Sequence, residues 1–306
     1  MSDETHHERE LGGQLLAAVS RSFYLTLKAL PVELREPISL AYLLARTADT
    51  IADTASVAAG TRLDCLERYR LLVNGGTEVQ SLAQLLQSEF CPRQSDDAER
   101  RLMEKSADGI AWLRTMQARP LSAIQSVLGH IIDGQMLDIR RFPADGKLRR
   151  LATTQELDEY TWLVAGCVGE FWTQLCASEL PSAIDPAVTT AQMQEWGARM
   201  GKGLQLINIL RDIGEDTRDG RCYLPCEPDQ VPVEWRQWLQ TCTEHLDHGL
   251  SYVKHVAHGK LRYATALPLL LGIQTVAKMR AAPWDKVLAG IKISRLDVAS
   301  ILAQAA

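Results

Sequence analysis

Apolar residues recur at three- and four-residue spacing over most of this chain. From Pro31 to about Ala55, the residues Leu34, Ile38, Tyr42, Ala45 and Ala48 fall on one stripe, the period of an α-helix with one buried face. Similar patterns run from about Asp97 to Gln117, Ser122 to Arg140, Leu157 to Leu175, Val188 to Ile213, Glu234 to Val256 and Ala264 to Met279. Alternating β-branched runs are nearly absent. Breakers separate the helical stretches at Pro120, Pro143 through Gly146, Pro181 through Pro186, and Gly220 through Pro232. No low-complexity linker and no repeat divides the chain. The pattern predicts one all-α domain over residues 1–306, with residues 1–10 a flexible polar lead-in.

Two acidic clusters interrupt this apolar background. In A-R-T-A-D-T-I-A-D, Asp49 and Asp53 stand four apart, with Arg46 about one turn earlier. In Q-L-I-N-I-L-R-D-I-G-E-D, Asp212 and Asp216 stand four apart, with Asn208 and Arg211 just ahead. Residues at i and i+4 share a helix face, so each pair forms a ledge of two carboxylates. A single D-x-x-x-D is expected by chance and usually marks a solvated face. Two of them, each following an arginine inside apolar helical sequence, point further. Carboxylates with open positions suit Mg²⁺, which in turn holds phosphate groups. Two ledges facing each other would grip a diphosphate through bridging metal ions. Near the second ledge, Gln205, Asn208 and Arg211 follow at three-residue spacing within an apolar run. Buried polar groups need partners, so these three are a structural network or ligand contacts, and the ligand reading is favoured.

Composition narrows the partners. The chain has 306 residues, 46% of them hydrophobic, ample for a large core. A formal net charge of −5 argues against nucleic acid as a partner. Seven scattered cysteines read as reduced thiols, and the loose spacing of Cys222 and Cys226 with His245 and His248 is rejected as a zinc site. The opening residues show no apolar signal core, and the longest greasy run, Ala264 to Ile273, is too short for a membrane span. A cytoplasmic protein that meets membranes only peripherally is expected.

These residues carry a resemblance. The chain is similar to the squalene and phytoene synthase family, the head-to-head prenyl transferases. The similarity runs through V-S-R-S-F at Val19 to Phe23, Y-L-L-A-R-T-A-D-T-I-A-D, D-G-Q-M-L-D at Asp133 to Asp138, and Y-T-W-L-V-A-G-C-V-G-E at Tyr160 to Glu170. It is most specific at Q-L-I-N-I-L-R-D-I-G-E-D and the following G-R-C-Y-L-P, which ends at Pro225. Within the family, S-R-S-F, A-L-P-x-E-L-R-x-P at Ala29 to Pro37, and Asp49–Thr50 in place of a double acid resemble squalene synthases. G-I-K-I-S-R at Gly290 to Arg295 resembles their basic K-I-R segment, with Ser294 where a basic residue is expected.

The resemblance implies an isoprenoid synthase fold, helices around a central apolar cavity. It implies a Mg²⁺- or Mn²⁺-dependent condensation of two farnesyl diphosphates to presqualene diphosphate, then NADPH-dependent reduction to squalene. Asp49, Asp53, Asp212 and Asp216 would hold the metal. Ser20, Arg21, Ser22, Tyr42, Arg46, Gln135, Gln205, Asn208, Arg211 and Arg221 would contact substrate. Tyr160 would handle a proton, and Lys292 and Arg295 would meet NADPH. Ser20 and Ser22 read equally well as helix caps. Two alternatives stay open: a dehydrosqualene or phytoene synthase that needs no reductant, and a non-catalytic relative serving as a lipid-binding or assembly factor.

Overall fold

The stripe that begins at Pro31 forms one helix, α1 (Val32–Asp53), in the computed structural model, which describes residues 11–20, 23–143, 145–292 and 301. Contacts group the chain into two compact units, Met1–Arg140 and Arg141–Ala306. In the first, α1 is followed by α2 (Ala59–Val73), α3 (Asp97–Glu104), α4 (Ser106–Leu113) and α5 (Ala118–Arg141). Leu34, Leu40 and Ile51 of α1 and Leu66 and Tyr69 of α2 are fully buried. Burial of each such side chain contributes about 1.5–3 kcal/mol. The Tyr69 hydroxyl donates to the Leu44 carbonyl at 3.1 Å, so its polar end is not stranded in the core.

Three features of this first unit differ from the pattern. The stretch read as one helix from Asp97 breaks at Lys105, whose backbone leaves the helical region, and both halves pack on α1. Pro120 does not break a helix: it lies in the first turn of α5, where a backbone N–H has no intrahelical partner to lose. Helix α2 lies where no stripe was read. Asp64, Glu67, Arg68 and Arg70 interleave with its inward Cys65, Leu66, Tyr69 and Leu72 and blur the period.

The second unit contains α6 (Thr154–Thr161), α7 (Cys167–Glu179), α8 (Thr190–Arg211), α9 (Ile213–Arg218), α10 (Val231–Lys254), α11 (Gly259–Ala281) and α12 (Trp284–Leu288). The stretch read as one helix from Leu157 is interrupted by a π-helical turn at Trp162–Gly166. Helix α8 packs against α7, α10 and α11. Its approach to the segment before it is backbone to backbone. A Cβ on Gly201 would lie 2.2 Å from the Ala165 carbonyl oxygen, and one on Gly169 would lie 1.9 Å from that of Gly197. A parallel two-residue ribbon pairs β1 (Arg149–Arg150) with β2 (Arg221–Cys222). All seven cysteines are free and buried. Among the described residues no helix is long and apolar enough to cross a membrane.

Candidate active site

The first ledge is the C-terminal half of α1. Tyr42, Arg46, Asp49 and Asp53 follow at helical spacing, so they share one stripe. The Tyr42 hydroxyl donates to the Val19 carbonyl at 3.2 Å, and its ring stacks on Phe23 with centroids 5.2 Å apart. Arg46 lies 3.8 Å from the Asp49 carboxylate and is ion-paired with Glu99 in the first turn of α3. Burial alone would favour discharging Arg46, but the charges of Asp49 and Glu99 outweigh it and hold the guanidinium protonated. Gln135, from α5, donates its side-chain amide to Asp49 Oδ1.

Asp49 is a strongly perturbed carboxylate. Burial, and then the neighbouring Asp53 charge, push it up to about 7; Arg46 and Gln135 pull the other way without winning. Yet 34% of the side chain still meets solvent. A crowded carboxylate that remains reachable is what an incoming cation requires.

The second ledge spans the junction of α8 and α9. Arg211 grips the Asp212 carboxylate with two donors, Nε to Oδ1 at 2.8 Å and Nη2 to Oδ2 at 2.5 Å. That grip, and then the Asp212 charge, hold Arg211 firmly protonated against its burial. Asp216 sits 2.9 Å from Arg221 Nη2. The chain can place Arg221 there because Gly220 turns back with φ +82, a conformation that disfavours any side chain, and β2 then pairs with β1.

Tyr160 is buried at 7% exposure. Its ring stacks on Tyr223, centroids 5.0 Å apart, and Tyr223 tilts onto Phe142 at 4.9 Å. Tyr223, two residues beyond Arg221, therefore ties the loop to the Tyr160 helix. Gln205, half-buried, and Asn208, exposed, pair with each other at 3.2 Å on one face of α8.

Other expected contacts are placed differently or fall outside the described residues. Ser20 is buried, and its hydroxyl donates to the Leu16 carbonyl of its own turn. Lys292 is exposed in irregular chain four residues beyond the end of α12, past the left-handed Gly290. Arg21, Ser22 and Arg295 lie outside the described residues. Glu99 was not legible as a partner of Arg46, because 53 residues separate them and no motif links them.

The donor set fits Mg²⁺ in one particular way. Among the described residues, no three His, Cys, Asp or Glu side chains gather into a metal-holding group. The carboxylates come in pairs instead. Mg²⁺ keeps several waters and is commonly held by one or two carboxylates plus substrate phosphates, so paired aspartates beside arginines suit a metal that arrives with a diphosphate.

The chain is similar to proteins of known family. The model of the squalene/phytoene synthase family matches residues 16–228. A 15-cis-phytoene synthase from Synechocystis is 31% identical over 222 residues, covering 71% of this chain and 56% of the relative. The squalene synthase ERG9 of Saccharomyces cerevisiae is 27% identical over 278 residues, 90% of this chain and 59% of the relative. The matched chain thus spans somewhat more than half the length of these relatives. A solved complex of the protein titled TcSQS with a ligand superposes with TM-score 0.78 at 20% identity, covering 98% of this chain and 86% of that one. That likeness shows the all-α isoprenoid synthase fold.

Proposed function

Because the chain belongs to the squalene/phytoene synthase family, we propose that it is a squalene synthase. It would condense two farnesyl diphosphates head to head to presqualene diphosphate and then reduce that product to squalene with NADPH. The carrying observation is the pair of arginine-matched aspartate ledges, one in each unit. The family match crosses from residue 16 to 228, through the boundary after Arg140. This supports treating both units as one functional domain.

Asp49 and Asp53, and Asp212 and Asp216, would hold Mg²⁺ or Mn²⁺. Bound there, the metal supplies Lewis-acid neutralisation of the diphosphate leaving group. Arg46, Arg211 and Arg221 would turn planar, paired donors toward phosphate oxygens. Their present carboxylate pairs are 28–36% exposed on the arginine side, open enough for a diphosphate to compete. Tyr160 would pass a proton toward released diphosphate. Its stacking on Tyr223 fixes the ring, leaving the hydroxyl as the chemically active part. Lys292, exposed, would meet the NADPH phosphate, with Arg295 nearby in sequence.

The phytoene synthase among the relatives keeps a reductant-free reading in view. Incubation with farnesyl diphosphate and Mg²⁺, with and without NADPH, followed by mass spectrometry of the lipids, separates them. Squalene only with NADPH is the expected result. The same hydrocarbon in both reactions would replace the squalene reading by the reductant-free one. Farnesyl diphosphate binding without any turnover would favour a lipid-binding relative.

A further inference from the structure

Behind the second ledge lies a cavity of about 470 Å³, built within the second unit. Small-molecule sites run from about 300 to 1,000 Å³, and a cavity of about 150 Å³ already holds benzene. Ile213 and Thr217 of α9 form one wall, Val231 and Pro232 at the start of α10 another, and Trp284 and Leu288 of α12 a third. Its rim is open to water, with Leu148 50% exposed and Leu288 37% beside the exposed Arg150–Glu227 ion pair.

The polar groups that line it are already engaged. Thr217 donates to the Ile213 carbonyl at 2.6 Å, Cys222 to the Leu224 carbonyl at 3.6 Å, and Arg150 is ion-paired with Glu227. Burial raises both thiols, Cys226 to about 11, so they stay neutral and weakly polar. A charged or strongly hydrogen-bonding ligand would find few open partners here. A hydrocarbon would lose nothing and would cover apolar wall.

The cavity is also mechanically joined to the ledge. Ile213 and Thr217 each follow an aspartate of the ledge by one residue, so cavity and carboxylates take neighbouring faces of the same short helix. A Cβ on Gly214 would lie 2.0 Å from the Leu288 carbonyl oxygen, so α12 rests directly on the ledge helix. Trp284 meets Trp235 edge to face at 5.7 Å, and Trp235 Nε1 donates to the Leu210 carbonyl at 2.8 Å, two residues before Asp212.

We propose that this cavity binds an uncharged prenyl or alkyl chain and that its occupancy changes the metal affinity of the Asp212–Asp216 ledge. The coupling rests on the metal reading given above; the chain-binding site does not. The probe is farnesol, which carries the chain without a diphosphate. Full-length protein is alkylated with N-ethylmaleimide, with and without farnesol, and each cysteine is followed by peptide mass mapping. At a farnesol concentration about ten times its dissociation constant, labelling of Cys222 and Cys226 should slow about tenfold, while Cys65 is unchanged. Leu148→Trp, at the exposed rim, should fill the mouth and abolish the protection; Leu288→Trp is the second variant should the first misfold. Equal labelling with and without farnesol, or protection that survives both tryptophans, overturns the site. Free Mn²⁺ measured by electron paramagnetic resonance, with inorganic pyrophosphate present throughout, tests the coupling. Farnesol should shift Mn²⁺ affinity several-fold in wild type and not in Leu148→Trp. An unchanged affinity overturns the coupling alone. Failure to bind Mn²⁺ at all overturns the metal reading, and with it the coupling, while the labelling result still decides the chain site.

Discussion

Asp49→Asn should stabilise the metal-free protein at alkaline pH while removing its activity. Burial and the Asp53 charge raise the Asp49 carboxyl from 3.8 to about 7. The unfolded chain gives up this proton near 3.8, whereas the folded chain keeps it until about 7, so the folded state binds more protons in between. The stabilisation from this group is therefore complete below 3.8 and is lost as pH rises through 7. A span of about three pH units at 1.36 kcal/mol each gives about 4 kcal/mol for a sealed group. With 34% of the side chain in water, screening lowers this to about 2 kcal/mol. Asparagine keeps an oxygen for the Gln135 amide and carries no charge. Urea unfolding in EDTA at pH 8 should therefore find Asp49→Asn more stable than wild type by about 2 kcal/mol, and at pH 5.5, midway through the window, by about 1 kcal/mol. Taking the difference between the two proteins cancels other titrating groups. Added Mg²⁺ should raise wild-type stability at pH 8 and leave the variant behind. A variant equal to or weaker than wild type at pH 8 in EDTA would refute the assignment of Asp49 as a carboxylate strained for a cation.

Three further outcomes follow from other parts of the molecule. Tyr160→Phe should keep its stacking on Tyr223 and unfold within about 1 kcal/mol of wild type, yet form little presqualene diphosphate; normal product yield would reduce Tyr160 to a packing residue. Gly201→Ala must push α8 off the Ala165 carbonyl, which a Cβ would approach to 2.2 Å, and should cost about 3 kcal/mol in urea unfolding; an unchanged midpoint would contradict the helix contact. His245, lowered to about 4 by burial and then by the Lys202 and Arg199 charges, refuses a proton that the unfolded chain accepts below 6.5. Stability should thus fall as pH drops from 6.5 toward 4, by about 3 kcal/mol at most, and His245→Gln should remove that slope; an identical acid profile for the two proteins would count against it.

The long helices were legible because burial imposes their period directly on the sequence. Val32–Asp53, Val231–Lys254 and Gly259–Ala281 each begin and end within about five residues of the stripe that announced them. What stayed hidden depends on contacts distant in sequence. The break at Lys105 has no Gly or Pro to announce it, and the π turn at Trp162–Gly166 lies inside an unbroken apolar run. The two ledges were legible as spacing. Their countercharges were only half so: Arg46 and Arg211 stand beside their aspartates in sequence, whereas Glu99 reaches Arg46 from another helix. The 470 Å³ cavity left no trace at all, since its walls come from β1, β2, α9, α10, α12 and the loops beside them, each contributing one or two residues.

The arginines give the proposed site its internal logic. Two carboxylates presented bare on one ledge would repel each other, and each ledge avoids this with a cation of its own. Once a metal takes the aspartates, the same cations are left in excess, which is the charge a diphosphate needs. Arg46 has a second acid in reserve, as Arg221 has in Asp219 at 3.6 Å. Glu99 holds the Arg46 guanidinium from α3, so surrendering Asp49 to a metal would not set the side chain loose. Arg211 grips Asp212 with both donors. Under this reading the first ledge is poised by strain on Asp49 and the second by exchange of Arg211, two different physical routes to the same readiness for a metal-bound diphosphate.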